Sequence, residues 1–186
     1  MLPASRWAGI VAGTCSIAVL LTLPACGDDG GTADGPSGSV DLAGDDLASA
    51  VLAGLGPDAG DVDLAELRGT PVVVNFWAST CAPCVREMPA LESVHQAAGD
   101  DVAFVGVAVN DRVDDALELA DRTGVTYPLV ADADGSFFVD AGATLLPTTL
   151  VLDQDGAVVR RFVGELTADE LVEVLADDTG VEVAVP

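Results

Sequence analysis

The chain of 186 residues carries 31 acidic side chains against seven basic ones, for a formal net charge of −24 at pH 7. A surface this negative repels nucleic-acid phosphates, so nucleic acid is excluded as a partner, and solvated acidic faces are the expectation. The length suits one domain with a single sizeable core, plus an appendage.

Residues 1–25 read as that appendage. Arg6 gives a short positive start, Trp7 to Leu23 form an apolar run, and Leu23-Pro24-Ala25-Cys26 closes it with small residues around a cysteine. The run is short for a membrane span, which takes about 20 apolar residues, and it contains Gly9 and Gly13. No basic stop-transfer cluster follows. The closing tetrapeptide resembles the bacterial lipobox, which implies lipid attachment at Cys26, with an uncleaved signal anchor as the alternative. Either reading places the domain outside the cytoplasm, anchored to the cell membrane. Cleavage would also discard Cys15, leaving Cys81 and Cys84 as the only free thiols.

Residues 26–40, rich in Gly, Asp and Ser, are expected to form a flexible linker, and 41–186 a single domain. The apolar spacing of Leu42, Leu47, Val51 and Leu55 suggests a short helix running into an edge strand. "DLAELRG" (63–69) reads as one helical turn stopped by Gly69, and "PVVVNFWA" (71–78) as a strand buried on both faces. A helix follows from Cys81 to Ala98, stopped by Gly99. Next come a buried strand at 102–109 and an amphipathic helix at 114–124. "TTLVLD" and "AVVRRFVG" flank Gln154-Asp155-Gly156, a hairpin signal, and Thr167 to Glu170 form a capping box before "ELVEVLA". The order strand, helix, strand, helix, hairpin, helix predicts an α/β fold, a central mixed β-sheet flanked by helices on both faces.

The chemistry concentrates in "WASTCAPCVREMP", residues 77–89. A Cys-x-x-Cys at a strand-to-helix junction puts its first cysteine where unpaired N–H groups and the helix macrodipole favour thiolate. Cys81 is therefore the candidate nucleophile. Two intervening residues carry Cys84 onto the next turn, where it can close an intramolecular disulfide and release a partner. Structural zinc wants four ligands, and His95 with the two thiols makes three. A disulfide across two residues closes too small a loop to constrain the unfolded chain much. Redox exchange is the reading left strongest. Copper(I) carriage by two thiolates stays open as a non-enzymatic alternative, with Met88 and His95 read first as packing residues.

The same residues, with "LAELRGTPVVVNFWA" before them, "LLPTTLVLDQDG" after them and the closing "FVGELTADEL", resemble the thioredoxin-fold superfamily, specifically membrane-tethered thiol-disulfide oxidoreductases of the TlpA/ResA type. The resemblance implies Cys81 as attacking and Cys84 as resolving cysteine of a redox-active disulfide. It also implies a cis-proline at Pro147, an aromatic packed beside the site at Trp77, and a carboxylate near the cysteines at Glu87. From the residues alone, Glu87 reads first as an ordinary solvent-facing helix residue; one turn below a thiol, as the resemblance implies, it can exchange its proton. Asn75 stands where cytosolic thioredoxins carry a buried acid, and Thr80 replaces the aromatic that often precedes the first cysteine.

The expected activity is reduction of disulfides in exported partner proteins, apocytochrome c among the candidates, fed by a membrane electron donor and needing no cofactor. Oxidation of newly exported proteins is the enzymatic alternative. The Pro-x-x-x-Thr-x-x-Cys arrangement of a peroxide site is absent around Cys81.

Overall fold

The computed structural model describes residues 47–185. The proposed export segment, Cys26, the linker and residues 41–46 lie outside the described residues. Among the described residues, no helix is long and apolar enough to cross a membrane.

The elements are β1 (Val51–Leu52), β2 (Val62–Asp63), β3 (Val72–Trp77), α1 (Ala82–Ala98), β4 (Ala103–Val109), α2 (Val113–Thr123), β5 (Leu129–Asp132), α3 (Ser136–Asp140), β6 (Thr148–Leu152), β7 (Val158–Val163) and α4 (Ala168–Val174). Among the described residues, five strands form one sheet in the order β5-β4-β3-β6-β7, and β1 pairs with β2 beside it. β3 runs parallel to β4 and antiparallel to β6, so the sheet is mixed as expected.

Every residue of β3 is buried, which explains its unbroken apolar sequence. The two-residue period divides it between two cores. Val72, Val74 and Phe76 face a cluster with Leu52, Leu64 and Phe137. Val73 packs on the other face with Leu91 and Val94 of α1 and Leu171 of α4. Trp77 lies in a third cluster with Cys84, Met88, Ala116 and Leu119, which brings α1 and α2 together over the end of β3.

Three elements escape the sequence pattern, the first being the two-residue β2, which pairs antiparallel with β1. β5 is a four-residue strand parallel to β4, in register Gly106↔Leu129, and α3 is a five-residue helix. The expected order, helix directly to hairpin, is corrected accordingly. β5 is too short to show a period and gains its identity by pairing with β4. α3 is fixed by Asp132, whose carboxylate accepts from the N–H groups of Phe137 and Phe138, and by packing of both rings on Phe76 at 5.5 Å.

The remaining boundaries follow local chemistry. The single turn after β2 is Leu64–Leu67, with the Asp63 side chain accepting from Ala65 N–H. Ahead of β1 the described residues form one short helical turn at Leu47–Ser49 that runs into the strand, in keeping with the apolar spacing. In the β6–β7 hairpin the Asp153 side chain accepts from the N–H groups of Asp155 and Ala157. Both halves of the Thr167–Glu170 capping box are present at the start of α4.

Gly106 sits on β4 opposite Asn75. A Cβ there would lie 2.6 Å from Leu129 Cδ2, 3.0 Å from a Tyr127 ring carbon and 3.1 Å from the Trp77 indole nitrogen. Gly106→Ala therefore overpacks the sheet face, and a loss of about 1–3 kcal/mol is expected in denaturant unfolding.

Candidate active site

β3 ends at Trp77, and a tight turn closed by Cys81 N–H on Ala78 C=O, at 3.0 Å, reverses the chain into α1. Cys81 is the N-cap of α1, in extended conformation, and its Sγ accepts from Cys84 N–H at 3.3 Å. Pro83 falls in the first helical turn, where no intrahelical donor is lost. Cys81 and Cys84 are joined as a disulfide with Cα atoms 5.3 Å apart. Cys81 is partly exposed whereas Cys84 is fully buried, so an incoming sulfur meets Cys81. The turn is pinned from β4: Ser79 donates through both N–H and Oγ to the Asp111 carboxylate, the hydroxyl contact being 2.8 Å. Asp111 gave no signal in the sequence, because one Asp in an acidic chain is not distinctive.

Glu87 is buried at 1% exposure, which removes the solvent-facing reading. Its Oε1 accepts from Asn75 Nδ2 at 2.8 Å, and its Oε2 from Leu166 N–H at 3.1 Å. Asn75 Nδ2 also donates to Thr149 Oγ1 at 3.0 Å. The asparagine that replaces a buried acid thus orients the acid supplied by α1. Burial pushes the Glu87 carboxyl up to about 7; the Asn75 and Leu166 hydrogen bonds resist this and Glu165 adds to it. Glu165 is in turn bridged by Arg86 at 2.6 Å, an exposed pair worth little by itself.

Trp77 is fully buried beside Cys84 in the same cluster. The Leu146–Pro147 bond is cis, and Leu146 packs against the cluster that contains Cys84 and that Cys81 flanks. Met88 is buried with Cys84, and His95 packs between Phe104 and Tyr127 with ring centroids at 5.3 and 5.7 Å. The structure therefore gathers Cys81, Cys84, Glu87 and Trp77 at one end of the sheet, and Leu146, next to Pro147, packs against the same cluster. Cys26 lies outside the described residues.

A partly exposed sulfur at a helix N-terminus, disulfide-bonded to a buried sulfur backed by an acid that titrates near neutrality, is equipped for thiol-disulfide exchange. With its mixed sheet and cis-proline, it defines a thioredoxin-fold thiol-disulfide oxidoreductase. The sequence profile described as Redoxin matches residues 42–176. The thiol-disulfide oxidoreductase ResA of Halalkalibacterium halodurans is 33% identical over 137 residues, 73% of this chain and 76% of that protein. ResA of Geobacillus thermodenitrificans is 32% identical, with 65% of that protein covered and 60% of this chain. Among solved structures, MTB DsbF, in mixed oxidized and reduced forms, has a TM-score of 0.66 at 30% identity, covering 72% of this chain and 97% of that one. The DsbF homologue of Corynebacterium diphtheriae gives 0.62 at 33% identity, covering 68% and 82%. The chain belongs to the Redoxin family, and within it resembles the ResA-type thiol-disulfide oxidoreductases.

Proposed function

We propose that the protein reduces disulfides in a few exported partner proteins, with apocytochrome c among the candidates. The supporting observation is Glu87, a buried acid one turn behind Cys84. Ionised, it disfavours a second negative charge on the neighbouring sulfur. Exchangers whose thiolate form is stabilised are oxidants, so a disfavoured thiolate supports the reducing direction.

In the working cycle, Cys81 thiolate attacks a partner disulfide, forming a mixed disulfide while the partner's other sulfur leaves as thiolate. Cys84 then gives its proton to Glu87 and attacks the Cys81 sulfur. The internal disulfide closes, the partner's second sulfur leaves, and two electrons have passed to the partner. Pro147 forms the wall opposite the disulfide and Trp77 the packed floor beside it. The spent disulfide is re-reduced by a membrane electron donor.

The domain, residues 41–186, works outside the cytoplasm. Residues 1–25 act as a lipoprotein-type export signal, Cys26 carries the lipid anchor, and 26–40 serve as linker. An M. tuberculosis disulfide oxidoreductase described as secreted, 26% identical at a TM-score of 0.63, supports the location.

Redox titration of the full chain against thiol buffers tests the direction. A midpoint near the roughly −270 mV of known reductants is expected, and one near about −120 mV assigns oxidation instead.

A further inference from the structure

The turn that carries the chain from β3 to Cys81 is held from three sides. Towards the helix, Cys81 C=O accepts from Val85 N–H at 3.2 Å and its Sγ from Cys84 N–H at 3.3 Å. Towards the strand, Cys81 N–H donates to Ala78 C=O at 3.0 Å. Ser79, inside the turn, is held by a distant segment. Among the described residues, its N–H and its hydroxyl both donate to one carboxylate, that of Asp111, with the hydroxyl contact at 2.8 Å.

Asp111 is itself fixed. It follows β4, where Asn110 turns the chain in the left-handed region at φ 49° and donates its N–H to Asp132 C=O of β5 at 2.9 Å. Non-glycine residues in that region are uncommon and gather at functional sites. Asp111 Oδ1 also accepts from Arg112 N–H at 2.9 Å, at the start of α2. One carboxylate thus takes three donors, and such charge-assisted bonds are roughly twice as strong as neutral ones.

The hold bears on the chemistry through the state of the disulfide. In the oxidised protein the Cys81–Cys84 bond fixes Cys81 against α1. Reduction breaks that bond, and Cys81 then keeps its place at the N-terminus of α1 through hydrogen bonds alone. The reduced form is the one that attacks, and its thiolate is favoured only while the sulfur stays beside the unpaired N–H groups.

We infer that Asp111 is a positioning residue for exchange: through Ser79 it holds the turn that keeps Cys81 at the N-terminus of α1 once the disulfide opens. This rests on the proposed role of Cys81 as the attacking sulfur. The other charges around the turn have partners of their own. Arg112 bridges Asp115 at 3.3 Å, and Arg86 bridges Glu165. Glu87, behind Cys84, is held by Asn75 and Leu166, and the Leu146–Pro147 side is uncharged.

Iodoacetamide alkylation of the reduced full chain across pH tests the inference, since Cys81 is partly exposed and Cys84 buried. Asp111→Ala should raise the Cys81 midpoint by about half a unit, the scale of a lost helix N-terminus. It should also slow attack on oxidised glutathione about tenfold, within the roughly 10²-fold that a displacement of about 1 Å can cost. Loss of the charge alone acts the other way, because an anion near a thiol raises its midpoint. Asp111→Asn, which keeps an oxygen for Ser79, should therefore leave the midpoint at or below the wild-type value. Ser79→Ala keeps the charge and loses the hydroxyl bond, so it should raise the midpoint by a smaller step, and it carries the test alone if Asp111→Ala does not fold. A midpoint that stays or falls in Asp111→Ala, or that stays in Ser79→Ala, overturns the inference. Failure of the Cys81 reading looks different: peptide mapping of the wild type would find the label on Cys84, and the inference would fall with it.

Discussion

Cys84→Ala is expected to stop turnover and to accumulate mixed disulfides between Cys81 and exported proteins. The reason is geometric. Cys84 is fully buried against Cys81, with Cα atoms 5.3 Å apart, so no external thiol can substitute for its position. Well-oriented intramolecular attack carries effective molarities of roughly 10⁵–10⁸ M, and millimolar external thiol is a poor replacement. A loss of at least about a thousandfold in turnover follows, conservative beside that ratio. Non-reducing electrophoresis of the variant expressed in its exported form should show adducts that collapse on reduction. Cys81→Ala should show none, because its remaining sulfur is out of reach. Adducts forming through Cys84 in that variant would reverse the assigned polarity. Mass spectrometry of the trapped species would also name the partners, and would separate disulfide exchange from copper carriage, which needs no adduct.

Much of this arrangement is legible in the sequence because it depends on local chemistry. β3 announces itself through unbroken β-branched and aromatic residues, and it is buried along its whole length. α1 runs between Cys81 and Gly99 because a capping position and a glycine mark its limits. The Thr167–Glu170 box sets the start of α4 in the same way. What stays illegible depends on contacts between distant segments. β5 exists because four residues find the free edge of β4, and α3 because Asp132 caps two phenylalanine N–H groups. The resemblance pointed to Glu87, but its burial could not be read from spacing, since it depends on Asn75 of β3 and Leu166 before α4 closing over it. Asp111 is an ordinary residue in sequence, and acquires meaning only where the β4–α2 loop meets the active-site turn.

The buried carboxyl has a second consequence, for stability. Glu87 titrates near 7 in the folded, oxidised protein, above the value of about 4.3 for an exposed glutamate. Its folded pKa is raised, so the native state holds the proton more tightly than the unfolded chain. Stability from this group is therefore complete below about pH 4.3 and is lost as pH rises towards 7, after which the loss is constant. The size is about 4 kcal/mol, from about 2.7 units at 1.36 kcal/mol per pKa unit. Glu87→Gln removes the titration, so its difference from wild type in denaturant unfolding should grow across that window in favour of the variant. One amide hydrogen will meet the Asn75 or Leu166 donor, a fixed cost of about 1–3 kcal/mol that offsets the curves without changing their slopes. The kinetic counterpart has the opposite appearance. Wild-type resolution of the mixed disulfide should slow about tenfold per unit as Glu87 protonates below neutrality, since only the carboxylate can take the Cys84 proton. Glu87→Gln should lose that limb and resolve roughly 10²-fold more slowly at pH 8, the lower end of what a positioned base contributes. A variant that gained stability with rising pH relative to wild type yet kept the wild-type rate profile would leave Glu87 a buried acid with no part in exchange.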